Sequence, residues 1–307
     1  MMDQHRIRLI GDGAHSDRIS GRLARDLLAL LVEGSEQTLR FRIDGRSSVQ
    51  GPPPKWLKPA ADFLLLPSGD ASSFVVQSSP LLDTMKDRFQ QGVLFSDLDA
   101  SESPIALFED AIEDAAAGRE DSDRFDADLV RTLERFGKLL DQGIDRIEFM
   151  NGRLVTVDRA ALAQFERIEQ TAPPTQRVRV AGTLEAIQYS DCRFKLILAD
   201  GGVLAGTAVA LGHEALKAFF GLRVVLVGTA AFRRSGAPLR LEAEALELAT
   251  DRDVQMWSVA PKPLLTAQSM RELRVEQTRK QGLAKILGTW PGDETEEQIR
   301  LALEQRS

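Results

Sequence analysis

Arg177-Val178-Arg179-Val180-Ala181-Gly182-Thr183-Leu184-Glu185-Ala186 is the stretch on which the reading of this 307-residue chain turns. Val178, Val180, Leu184 and Ala186 alternate with Arg177, Arg179, Thr183 and Glu185, which is the period of a strand with one apolar and one polar face. Gly182 supplies the bend that a tightly coiled strand needs. The same signature continues downstream. Phe194, Leu196 and Leu198 share a face, Asp200-Gly201 is a hairpin signal, and Val203 to Thr207 forms the return strand. Gly212 to Phe220 changes to helical spacing through Ala215, Leu216 and Phe219. Leu222 to Phe232 is a fourth strand with Gly228 inside it, and Ser235-Gly236-Ala237-Pro238 makes a turn. Leu239, Leu241, Ala243 and Ala245 alternate in a fifth, whose phase slips at Ala245-Leu246 as a bulge would cause.

Three strands, a helix and two more strands, with turn signals at each joint, follow the order of an OB-like five-stranded β-barrel. An SH3-like barrel, or another sheet with one helix, gives the same string. Thr171-Ala172-Pro173-Pro174 marks the barrel's start, because paired prolines resist both helix and ladder. The chain therefore divides into an α+β domain over 1–171, the barrel over 172–252, and an extended segment with a helical C-terminal arm over 253–307. In the first part, Arg6-Ile7-Arg8-Leu9 reads as a strand, and Ser20 precedes a helix carrying Leu23, Leu27, Leu28, Leu30 and Leu31. Gly34 is expected to close that helix, with Thr38 to Ile43 alternating as a strand before Asp44-Gly45 turns the chain. Beyond Pro52-Pro53-Pro54 come a short helix near Trp56, strands at Phe63 to Leu66 and Ser73 to Val76, and helices at Pro104 to Ala117 and Phe125 to Leu140.

Composition narrows the function. No apolar run approaches the roughly 20 residues of a membrane span, and the start lacks the apolar core of a secretion signal, so the chain reads as cytoplasmic. One cysteine, Cys192, and scattered His5, His15 and His213 offer neither an internal disulfide nor a zinc spacing, and no cofactor is expected. His213 reads as a helix-start histidine. Gly11-Asp12-Gly13 follows a strand but lacks the third glycine of a dinucleotide site and the lysine of a P-loop, so it reads as a turn. Glu109, Asp110, Glu113 and Asp114 place carboxylate pairs at i,i+4, as a magnesium-dependent nuclease would need, but the charge run continues to Asp123 and reads as a solvated face.

Charge is uneven along the chain. Residues 1–171 carry 21 Lys and Arg against 30 Asp and Glu, whereas 177–249 carry 9 against 7. The N-terminal part is thus a poor candidate for gripping a phosphate backbone by charge alone, whereas the barrel is neutral to slightly basic. A single-stranded nucleic-acid site would use Tyr189, Arg193, Lys195, Arg233 and Arg234, with Phe194 and Phe232 as easily core as stacking platform.

After Pro261-Lys262-Pro263, a helix from about Thr266 to Leu287 offers only Met270 and Leu273 from its first half to a core, and Gly288 ends it. Thr289-Trp290-Pro291-Gly292 follows, then Asp293, Glu294 and the capping-box form Thr295-Glu296-Glu297-Gln298, opening a short helix with Ile299 and Leu303 on one side. This stretch, Leu287 through Ser307, resembles the C-terminal tails of bacterial antitoxins encoded beside PIN-domain ribonucleases. The resemblance implies a non-enzymatic protein whose tail wraps a toxin and blocks its acidic, magnesium-binding groove. Trp290, Pro291, Gly292, Asp293, Glu294, Ile299, Arg300 and Leu303 would make the contact, with Trp290 in an apolar pocket and Arg300 or Arg306 approaching the toxin's carboxylates. Such antitoxins usually begin with a compact DNA-binding dimer. Here an acidic α+β start and a barrel stand in its place, a layout similar to a group of uncharacterised bacterial proteins. The same arm could instead pack Trp290, Ile299 and Leu303 onto its own body, leaving a purely structural protein.

Overall fold

Strand β1 (Asp3–Ile10) alternates as its sequence requires, burying His5, Ile7 and Leu9 and turning Gln4, Arg6 and Arg8 outward. The structure, a computed structural model, describes residues 3–15, 17–48, 51–86, 98–119, 121–188 and 192–264. With β2 (Phe63–Leu66), β3 (Ser73–Ser78), β4 (Arg146–Met150) and β5 (Leu154–Asp158), β1 forms an antiparallel sheet of order β2-β3-β1-β4-β5. Its register sets Phe74, Ile7, Phe149 and Val155 abreast in one apolar row. Four of these strands, with a helix after the first and another before the fourth, make the β-α-β-β-α-β arrangement of ferredoxin-like sheets.

Helices α1 (Gly21–Asp44), α4 (Pro104–Ala116), α5 (Ala127–Glu134), α6 (Phe136–Leu140) and α7 (Arg159–Thr171) join the core on the sheet's apolar face, and the short α2 (Leu57–Ala61) and α3 (Leu81–Thr84) pack in a separate apolar cluster. Leu23, Leu27, Leu30 and Leu31 of α1 join Ile105, Phe108 and Ile112 of α4 over the sheet. Phe136 stacks on Phe108 at 6.4 Å and meets Phe149 edge-on at 6.0 Å. The expected helix at Phe125 to Leu140 is broken at Arg135, and the Leu154 hairpin with its following helix adds to what the sequence suggested.

Gly34 does not close α1, and Thr38 to Ile43 is not a strand. The helix runs on to Asp44 and ends at Gly45, whose left-handed φ of 72° lets its N–H reach Phe41 O. Gly34 is there for space, since a Cβ would run into the Phe108 ring. The false alternation has a packing cause. Leu39 and Ile43 face a second apolar cluster with Leu57, Ala60, Leu81 and Leu107, whereas Phe41 faces the barrel, so this end of α1 is buried on more than one side.

The barrel is closed by β6 (Gln176–Gln188), β7 (Arg193–Ile197), β8 (Val203–Thr207), β9 (Arg223–Phe232) and β10 (Pro238–Leu248), in ring order β10-β8-β7-β6-β9. Helix α8 (Gly212–Ala218) lies between the third and fourth of them in sequence, and its Leu216 enters the barrel core. Only the third and fifth strands pair in parallel, at Leu241 with Gly206 and Glu242 with Thr207. This is OB topology. Gly182 allows close approach: a Cβ would lie 2.6 Å from Ile197 O on the neighbouring strand. The register shift in β10 falls between Ala243 and Ala245, slightly before the expected Ala245-Leu246 slip.

A helix, α9 (Asp251–Trp257), follows, begun by a capping box in which Thr250 and Asp253 satisfy each other's backbone N–H. The chain is then pinned to the barrel. Ala199 N donates to Ser258 O at 3.1 Å, Ala260 packs against the barrel core, and Leu264 N donates to Gln176 Oε1 at 2.8 Å. Sheet and barrel belong to one compact unit, Met1–Thr266.

Two measurements test this account. Gly34→Ala should lower unfolding free energy by about 1–3 kcal/mol in urea titrations through overpacking against Phe108. Gly21→Ala, with nothing within 4 Å of the new methyl, should be neutral or slightly stabilising; equal effects at both sites would refute the explanation. Hydrogen bonds from Thr250 hold the Asp253 carboxyl below the usual carboxylate range, aided by Arg179 and Arg252. A depressed folded value means that the cap's contribution is present at neutral pH and is lost as pH falls below about 4. NMR titration should show Asp253 protonating below a free aspartate in the intact protein and nearer the free value in Thr250→Val.

Candidate functional site

In the barrel, β7 alternates like any half-buried strand: Phe194 and Leu196 point into the core, and Arg193 and Lys195 point out. Their partners across the ladder are Thr207 and Ala205 on β8. On β10, Leu241 points in and Arg240 out. These outward side chains form one surface on the second, third and fifth barrel strands, the face on which OB barrels bind ligands.

The end of α1 lies over this surface. Phe41, Arg42, Asp44 and Gly45 form one wall of a cleft of about 180 Å³, with Asp123 at the rim. Arg193, Lys195, Arg233 and Arg240 form the other wall, with the short side chain of Ala205 and the backbone of Gly206 between them, the Cβ position of Gly206 facing Phe194 in the barrel core. Arg46 Nη1 holds the junction to the barrel through Glu242 Oε1 at 3.0 Å, and Arg233 and Ser235 both bond to Asp121.

Arg240 is partly buried among these cations. Burial pushes its guanidinium below the ordinary arginine range, and neighbouring Arg46 and Arg193 push the same way against Asp126 and Glu242. Both carboxylates are committed elsewhere. Glu242 is paired with Arg46, and Asp126 accepts from Ser47 N at 2.8 Å, from Ser47 Oγ at 2.5 Å and from Leu129 N at 3.0 Å as the cap of α5. Arg240 Nη1 is buried and meets no acceptor among the described residues.

Of the residues singled out for nucleic acid, Arg193, Lys195 and Arg233 thus converge on one cleft. Arg234 does not join them and instead lines a separate groove with Pro173, Ala237, Pro261 and Pro263. Phe194 and Phe232 are core, and Tyr189 lies outside the described residues. So do Trp290, Pro291, Gly292, Asp293, Glu294, Ile299, Arg300 and Leu303, together with the expected helices on either side of Gly288. Arg42, Gly45 and Arg240 carried no local signal; tertiary docking alone brings them to the cleft.

The carboxylates of α4 are not a solvated face and do not share a site. Asp110, Glu113 and Asp114 are paired with arginines, including Arg124 to Asp110 at 3.4 Å, Arg153 to Glu113 at 2.8 Å and Arg124 to Asp114 at 3.3 Å. Arg153 also reaches Asp110, and Arg119 reaches Asp114. Among the described residues no group of three or more His, Cys, Asp or Glu could hold a metal ion. Glu109 points the opposite way, into the core. There His5 Nδ1–H donates to Glu109 Oε1 at 2.9 Å, and Ser103 Oγ donates to His5 Nε2 at 3.1 Å. The connectivity is that of a serine–histidine–acid relay. Yet Ser103 and His5 are 0% exposed and Glu109 1%, and Ser103 Oγ also accepts from Ala106 N as the cap of α4. The trio ties β1 to α4.

The remaining sequence candidates are structural. Gly11-Asp12-Gly13 is a turn, with Gly13 N donating to Gly143 O at 2.8 Å and no room for a Cβ at Gly13 against Gln142 O. His213 sits at the start of α8, 3.2 Å from Glu214.

His5→Leu should cost about 1–3 kcal/mol in chemical denaturation, because it leaves buried Glu109 and Ser103 atoms without their partner. An unchanged unfolding midpoint would show that the trio contributes nothing. No protein-family model, curated protein or solved structure matches this chain, so the site is read from its own geometry.

Proposed function

We propose that the protein is a non-enzymatic, antitoxin-like binding protein that neutralises a PIN-domain-type ribonuclease through its C-terminal arm, acting in the cytoplasm beside its target. The observation that supports this reading is the anchorage of the arm's root. Ser258 to Leu264 is held along the barrel by backbone and side-chain bonds, and 25 residues of sequence separate it from Trp290-Pro291-Gly292, with Ile299-Arg300 beyond. A fixed root reduces the entropy lost when a following peptide docks. An aromatic anchor next to a short amphipathic helix is a common form for such a peptide. No helix among the described residues is long and apolar enough to cross a membrane.

Single-stranded nucleic-acid binding is the second reading, favoured by the convergence of Arg193, Lys195 and Arg233. It ranks lower because α1 lies over that face and the space left suits a compact group better than a run of nucleotides. Fluorescence titration with single-stranded RNA and DNA at two salt concentrations separates the two, since backbone binding weakens steeply with salt.

Co-expression with a PIN-domain ribonuclease encoded by the neighbouring gene tests the first reading. The full chain should restore growth and co-purify with the nuclease. Truncation after Gly288 should abolish both, and Trp290→Ala should weaken binding by at least about 2 kcal/mol, as expected for an aromatic hot spot. If the truncated chain protects as well as the full one, the arm is not the inhibitory element and belongs to the protein's own body.

A further inference from the structure

We infer that the end of α1 is an openable cover over the outer face of the barrel, and that the barrel swings off it about the connection Ala172-Pro173-Pro174-Thr175. The inference is independent of the arm. The two parts have separate interiors. Among the described residues, the apolar cluster over the sheet and the cluster inside the barrel share no side chain, and Phe41, which α1 brings against the barrel, belongs to neither. Up to Leu264 the chain crosses from one part to the other once, between the end of α7 at Thr171 and the start of β6 at Gln176. Domains not joined by a large apolar interface move relative to each other. The end of α1 therefore sets the resting position of the barrel without locking it there.

The bonds that hold the cover down are polar and open to solvent. Arg46 Nη1 lies 3.0 Å from Glu242 Oε1, with side chains 24% and 41% exposed. Arg233 and Ser235, at the β9–β10 turn, reach Asp121, and both Asp121 and Ser235 are exposed. Such bonds compete with water and are screened by salt. The closed junction is also incompletely filled. Phe125, Val130 and Ile168 from the sheet side and Phe232 and Leu239 from the barrel line a void of about 80 Å³, so both sides lose dispersion contacts there. Closure has a further cost at Arg240. Its Nη1 lies 3.6 Å from the position a Gly45 Cβ would take, buried and without an acceptor among the described residues. Lifting the end of α1 returns that N–H to water and removes the penalty of an unmet donor. It also uncovers Arg193 and Lys195 on β7, on the face by which OB barrels take ligands. The closed form then excludes a single strand and the open form admits it. That consequence rests on the nucleic-acid reading of the barrel; the opening itself does not.

Amine acetylation of the full-length protein, read by mass spectrometry at half-buried Lys195 and at exposed Lys217 of α8 as reference, tests the opening. Arg46→Gln combined with Ser235→Ala removes the ion pair to Glu242 and the hydroxyl bond to Asp121 while leaving Arg193, Lys195 and Arg240 in place. Relative to Lys217, Lys195 should label at least about threefold faster in this variant, and raised salt should move the unmodified protein in the same direction. Hydrogen exchange of β9 amides, which reports on the barrel itself, should not change. An oligothymidylate titrated into both proteins should bind the variant more tightly even though it has lost a cation, because the accessible fraction sets the apparent affinity. Unchanged relative labelling in the variant and across salt would overturn the cover, whatever the oligonucleotide does. So would faster labelling accompanied by faster β9 exchange, which would show the barrel unfolding. Faster labelling with steady β9 exchange and no oligonucleotide binding by either protein would uphold the cover and remove the nucleic-acid reading.

Discussion

Helix α1 is the constraint on which the architecture depends. Its first half lays Leu23, Leu27, Leu30 and Leu31 on the sheet, and its second half puts Leu39 and Ile43 into a separate apolar cluster. Its end places Phe41 and Arg42 against the barrel, with Arg46 just beyond the Gly45 cap reaching Glu242. One rigid element of 24 residues therefore fixes the sheet, the helices around Leu57 and Leu81, and the barrel face relative to each other. The close approach of Phe108 at Gly34 is what allows α1 and α4 to lie together, and glycine's cost of about 1 kcal/mol within a helix is offset by the burial of a whole aromatic ring.

That multiplicity of contacts explains where the sequence was legible and where it was not. The barrel core lies on one side of these strands, so period-two alternation survives in Phe194-Lys195-Leu196 and in Leu241-Glu242-Ala243, whereas Val224, Val225 and Leu226 of β9 are all buried; turn residues mark the joints. Thr38 to Ile43 meets apolar neighbours on more than one side, which imitates strand alternation inside a helix. The β4–β5 hairpin carried a readable Asn151-Gly152 turn between two short alternating runs, but strands of five residues offer few repeats from which to recognise a period.

The same distinction holds for the polar groups. Arg193, Lys195 and Arg233 were visible as basic residues on or beside barrel strands. Their convergence with Arg42 and Arg240 was not, because it requires the docking of elements distant in sequence. The buried trio is a sharper case: His5 lies 98 residues from Ser103 and 104 from Glu109, with no local pattern around any of them. In α4 the acidic run looked like one charged face. Helical geometry divides it instead, sending Glu109 inward to histidine and Asp110, Glu113 and Asp114 to Arg119 and Arg124 of the connection after α4 and to Arg153 of the β4–β5 turn.

This internal use of charge bears on what the cleft can admit. The N-terminal 171 residues are acidic in sum, yet much of the acid around α4 is neutralised at contact distance by Arg119, Arg124 and Arg153. Among the described residues the cleft is lined by more cations than carboxylates, and Arg240 among them is partly withdrawn from water. Screening confines fields between exposed charges to about 10 Å at ordinary salt, whereas partly buried charges are screened much less. A charged group at that face therefore feels the cleft's partly buried side chains more strongly than the distant acid of the first 171 residues.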